Sequence, residues 1–191
     1  MPKQVLPVEE LSKDARAVFK SVNREESDLA CALILTAFLE QGLGSLLANR
    51  FVESSVPEKL LQPGRGILGT LQSRIDVAYT LGLITKGMFT NLCKVAEIRN
   101  VFAHSHIDVK FEDPRIQPQC EELELPELEI SPDEGETPEQ SEADFRALIS
   151  TPRMRFTVVS ALMANRLLLT ARSTEHLPRK VRGWEAEDPA A

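Results

Sequence analysis

The chain has 191 residues, 42% of them hydrophobic and 27% charged, the balance of a folded domain and not of a disordered chain. Aromatics make up 5%, so a core must be mostly aliphatic. Uninterrupted apolar runs of about 18 residues and an apolar block followed by a small-residue cleavage site are both missing, so neither a membrane span nor a secretory signal is expected, and the protein reads as cytoplasmic. Cys31, Cys93 and Cys120 lie far apart and cannot all pair. They read as free thiols of a reducing compartment, without the Cys/His spacing of a zinc site, and no cofactor is expected.

The net charge of −7 is unevenly placed. Eleven of the 29 acidic residues fall between Cys120 and Asp144, a stretch without Lys or Arg, which leaves 18 acids against 22 basic residues elsewhere, a net of +4. From Arg146 to Arg182 there are eight basic residues and one acid, Glu175. Two segments of opposite sign can attract each other or outside partners.

In chain order, residues 8–22 place Leu11, Ala15, Val18, Phe19 and Val22 at helical spacing. Residues 28–51 form a long Ala/Leu-rich helix with Ser27 and Asp28 as cap residues. Pro57 and Pro63-Gly64-Arg65-Gly66 break the chain, and residues 67–84 turn helical again, with Ile67, Leu68, Leu71, Ile75, Ala78 and Tyr79 on one face. Gly82 and Gly87 bracket a turn before the helix 86–103. Residues 105–118 read as irregular or briefly extended. The Pro- and Glu-rich stretch 121–142 reads as a disordered linker. Thr151-Pro152 opens a last helix to about residue 173, buried through Phe156, Val159, Met163, Leu167 and Thr170. The expectation is an all-α fold, a single bundle of four to six helices. It divides into an N-terminal helix and lead-in (1–27), a helical core (28–119), an acidic flexible segment (120–145), the C-terminal helix of the same bundle (146–175) and a flexible tail (176–191).

At about 100° per residue from Met88, Arg99 falls near 20°, among Leu92, Val95 and Ala103. A guanidinium aimed inward needs an acid, a set of carbonyls or a wet cleft. Glu40, flanked by Leu29, Leu33 and Leu47 on its own helix, is the expected partner, ahead of Asp76. Such a pair can fix helix register, or Arg99 can serve an anion. Asn100 and His104 share a face of the same helix. An arginine for a phosphate, a histidine of near-neutral pKa and an orienting amide are a minimal set for metal-free RNA cleavage, with His106 as a second proton carrier. A histidine at a helix C-terminus is equally explained by the helix dipole.

The stretch 28–114 resembles the mannitol operon repressor family of bacterial proteins. The residues that carry the likeness are LACALILTAFLEQGLGSLL, LQSRIDVAYTLGLI and EIRNVFAHSHIDVKFEDPRI, with Ser73-Arg74-Ile75-Asp76, Ala78-Tyr79, Leu81-Gly82-Leu83 and the run from Ile98 to His104 the most specific. The resemblance implies an all-α fold and a role in transcriptional regulation through partner proteins, without a DNA-reading domain. The Arg99–His104 spacing is also similar to the R-x4-6-H signature of the HEPN superfamily, which includes RNases. That likeness would make Arg99 and His104 the active pair, with Asn100 beside them and Glu40 a supporting acid.

Gly64-Arg65-Gly66-Ile67-Leu68-Gly69 matches GxGxxG, but no buried strand precedes it and no acid follows about 20 residues later. Gly64, Arg65 and Gly66 are then a weak anion site at a helix N-terminus, or simply a turn. The helices around Gly82 suggest a helix-turn-helix, yet the second offers only Lys94 and Arg99 as cations, too few for sequence-specific DNA reading. Arg153, Arg155, Arg166 and Arg172 are expected on a solvated face. The acidic stretch is a solvated loop, a partner-binding tail or a cover over the basic patch. The first reading is a regulator acting on another protein. The alternatives are a metal-independent ribonuclease with RNA as partner, active as a homodimer, and a non-catalytic interaction module. Enzymatic activity is left open.

Overall fold

The structure is a computed structural model and describes residues 7–24, 27–52, 54–125 and 137–174. Among them are eight helices and no strand: α1 Val8–Arg24, α2 Asp28–Ala48, α3 Ser55–Leu60, α4 Leu71–Thr80, α5 Lys86–His104, α6 Gln117–Glu121, α7 Pro138–Leu148 and α8 Pro152–Thr174. The all-α expectation holds.

Helix α2 is apolar on every side, the pattern of a helix enclosed by others, and it is the axis of the bundle. By length and composition alone it could cross a membrane, but 61% of its most apolar window is buried inside the fold. Contacts with α8 run from Asp28–Arg153 through Cys31–Thr157 and Gly42–Leu167 to Asn49–Ala171, so the two helices are parallel over their length. Helix α1 is antiparallel to α2, with Leu11 near Gly42, Phe19 edge-on to Phe38 and Val22 near the start of α2. Helices α4 and α5 form a hairpin whose turn is a Schellman closure: Gly82 (φ +67°) donates to the Tyr79 carbonyl, and Leu83 to that of Ala78. A side chain other than glycine is strained at that φ.

Ser27, Thr70, Thr85 and Thr137 cap α2, α4, α5 and α7 through their hydroxyls. Asp28 is not the cap of α2. Its buried carboxylate accepts the Phe111 N–H at 3.0 Å and the Arg153 guanidinium. That contact ties the start of α2 to the 105–116 loop and to α8, where Phe111 packs between Phe102 and Phe156.

Two expected spans and one expected surface differ. Helix α4 begins at Leu71, not 67, because the glycines upstream are drawn into turns against α3. A Cβ on Gly66 would lie 2.1 Å from the Leu60 carbonyl oxygen, and one on Gly69 would lie 2.5 Å from that of Gln62. The acidic stretch 120–145 is in part built into the bundle: Cys120 and Leu123 are fully buried and α7 begins at Pro138, while 126–136 lies outside the described residues. The tail 176–191 lies outside them as well. Arg153 and Arg155 are not on a solvated face. Arg153 reaches Asp28, and Arg155 donates to the Leu123 carbonyl at 3.2 and 2.7 Å. Arg166 and Arg172 are exposed as expected.

Candidate functional site

Among the described residues the buried arginine is Arg74, not Arg99. Leu71, Arg74, Ile75 and Ala78 occupy the i, i+3, i+4 and i+7 positions of one helical face, and that face turns inward. Arg74 is 1% exposed. Its guanidinium donates to three carbonyls: Leu68 at 2.9 Å from Nε, Glu40 at 2.8 Å from Nη1 and Leu61 at 2.9 Å from Nη2. The Glu40 carboxylate stands 3.9 Å from Nη1. Burial depresses the Arg74 pKa and the Glu40 charge partly restores it. One side chain therefore pins the loop after α3, the start of α4 and the middle of α2 together.

Glu40 thus serves Arg74, and the expected Arg99–Glu40 ion pair is not formed. Arg99 is half-buried and donates to the Asn100 side-chain oxygen at 3.0 Å. The buried face of α5 is made by Asn91, Leu92, Val95, Ala96, Ile98 and Phe102, centred about 40° from the Arg99 direction. A long, flexible side chain near the end of a helix can carry its charged head past the apolar layer.

His104 ends α5 and is exposed, as is His106. Five residues of helix direct Arg99 and His104 about 140° apart. Beyond them Ser105 and Ile107 close a small turn, with Ile107 70% exposed at its tip. At the opposite end of α5, about 27 Å away along its axis, Tyr79 and Phe89 stack at 4.6 Å beside Leu81, which is 52% exposed. Neither apolar projection carries a charged motif in the sequence. The signal available was an Ile between polar residues and a Leu before a turn glycine.

The amides of Arg65 and Gly66 donate to the Gln62 carbonyl, at 3.3 and 2.8 Å. Helix α4 is closed by a Thr70–Ser73 capping box. Two of the main-chain donors of the expected anion site at Gly64, Arg65 and Gly66, those of Arg65 and Gly66, are therefore spent within a turn. No group of three or more His, Cys, Asp or Glu that could hold a metal occurs among the described residues.

Compared with known families, residues 15–171 match MtlR, the mannitol repressor. The chain belongs to the mannitol repressor family. The family match spans α1 to α8 and so takes in the Arg74 node, the α4–α5 hairpin and the end of α5. An X-ray structure of the MtlR–HPr complex from Escherichia coli is similar with a TM-score of 0.58 and 17% identity, over 80% of this chain and 97% of that one. At that identity the likeness speaks to the fold. Comparison with curated proteins gives no match.

Proposed function

We propose that this member of the mannitol repressor family is a cytoplasmic, transcription-related regulator that works by protein–protein contact, without a DNA-reading domain of its own, and that its partner is HPr. The observation that carries the reading is the family match over 15–171, which takes in all but the ends of the described fold. The relative crystallised as an MtlR–HPr complex supports the choice of partner. The surface is in keeping with it. Two of the four arginines on α8 are spent inside the fold, which leaves a poor platform for phosphates, while Ile107 and the Tyr79–Leu81–Phe89 tip stand out as apolar anchors of the kind protein interfaces use. The ribonuclease reading is weaker on this geometry, because Arg99 and His104 are directed apart and Glu40 is committed to Arg74.

Isothermal titration with HPr from the organism that encodes this chain tests the proposal. Binding is expected, and Leu81→Asp or Ile107→Asp should weaken it at least tenfold. Absence of binding by the wild type at high micromolar concentration refutes the partner assignment.

A further inference from the structure

Residues 122–125, Glu-Leu-Glu-Leu, belong to no helix and to no strand, yet side chains of α5 and α8 hold their main chain. Asn91, itself 5% exposed, grips the Glu124 main chain from both sides: its side-chain nitrogen donates to the Glu124 carbonyl at 2.7 Å and its oxygen accepts the Glu124 N–H at 2.9 Å. Arg155 holds the Leu123 carbonyl and Lys94 the Glu122 carbonyl, the latter at 2.9 Å. The Leu123 side chain is fully buried between them. The Lys94 ammonium also lies 3.0 Å from the Glu122 carboxylate. The Glu124 carboxylate lies over Gly87 in the first turn of α5, where the helix dipole favours an anion and the absent Cβ leaves room.

We propose that this slot between α5 and α8 is a peptide-recognition site whose resident is the chain's own 122–125 strap, and that a partner's extended acid–leucine–acid segment exchanges into it. The grip falls on main-chain atoms, which any extended peptide presents, and a paired amide of this kind reproduces the hydrogen bonds that an added strand makes at a sheet edge. Specificity comes from one apolar pocket, filled by Leu123, and from Lys94 and the N-terminus of α5, which match the two flanking acids, while Arg155 holds only a main-chain carbonyl. The buried Asn91 amide and the half-buried Lys94 and Arg155 lose these main-chain partners unless an occupant supplies them, the Asn91 amide at the highest cost. A tethered strap competes at an effective concentration of about millimolar, so an outside peptide binds weakly until the strap is loosened. The inference stands on the strap geometry and needs no HPr, so it and the HPr reading fail separately.

The test is fluorescence anisotropy with a fluorescein-labelled peptide of the sequence 119–126, titrated into the full chain. Leu123→Ala should bind it at least tenfold more tightly than wild type, and adding Asn91→Ala to that variant should remove the gain. Equal affinity of Leu123→Ala and wild type, no binding by Leu123→Ala, or indifference to Asn91→Ala overturns the proposal. Should Leu123→Ala lose the native helical circular dichroism, Glu124→Pro takes its place under the same criteria. It deletes the strap's N–H donor and keeps the leucine anchor.

Discussion

Arg74→Met removes the guanidinium but fills much of its volume. Three carbonyls lose a donor; that of Glu40 also lies within α2, where the helix supplies another, so those of Leu61 and Leu68 are the two left bare. An unsatisfied buried carbonyl costs about 1–3 kcal/mol. Against this, methionine spares the burial of a charge, the same desolvation that depresses the arginine's pKa. The net expected loss is about 3 kcal/mol, which for a domain of this size lowers Tm by about 6–12 °C. Glu40→Gln is the control. It keeps the Glu40 main-chain carbonyl and removes only a carboxylate 3.9 Å away and 26% exposed, so it should cost under about 1 kcal/mol. Urea and thermal unfolding followed by circular dichroism measure both. If Arg74→Met costs no more than Glu40→Gln, the three-carbonyl grip is not what holds the 61–68 loop to α2, and the reasoning fails.

Gly66→Ala places a methyl 2.1 Å from a backbone oxygen and should destabilise by at least about 2 kcal/mol, whereas Gly64→Ala meets no atom and carries only the strain of φ +70°; unfolding midpoints compare them. Cys120 is buried and its pKa is pushed up to about 12, so with Cys31 it should stay unreactive toward a thiol reagent at pH 8 in the native protein, leaving the half-buried Cys93 to react; mass spectrometry after timed labelling counts the modified sites. Hydrogen bonds from Arg115 hold the Asp113 carboxyl down at about 2. A depressed folded-state pKa means that its contribution is present above the ordinary carboxylate range and lost as pH falls toward 2. Carboxyl NMR titration should place the Asp113 midpoint at about 2, and Arg115→Gln should raise it, though not fully, because the hydrogen bond from the residue 115 main-chain N–H remains.

Local pattern was enough for the long helices. Leu11, Ala15, Val18 and Val22 recur at helical spacing, Ser27 is a cap residue, Gly82 marks the turn before α5, Thr151-Pro152 opens the last helix, and α1, α2, α5 and α8 lie close to where these signals put them. The short helices α3 and α6 were not legible, because one or two turns carry no period to detect and are stable only where the rest of the fold supports them. Helix α7 was hidden by composition: acids and prolines read as linker, while the capping box between Thr137 and Gln140 was a sequence signal that could have located its start.

The candidate site shows the same division at the level of single side chains. Arg74 and Arg99 each project toward an apolar sector of their own helix, and period alone cannot rank them. Only the folded chain brings the carbonyls of Glu40, Leu61 and Leu68 around Arg74, from 34 residues to 6 residues away, and leaves Arg99 with its neighbour Asn100. Helix formation is a matter of neighbours within four residues, which the amino-acid order states outright. Whether a charge can be buried depends on donors and acceptors distant in the chain, and their positions exist only once the helices have packed.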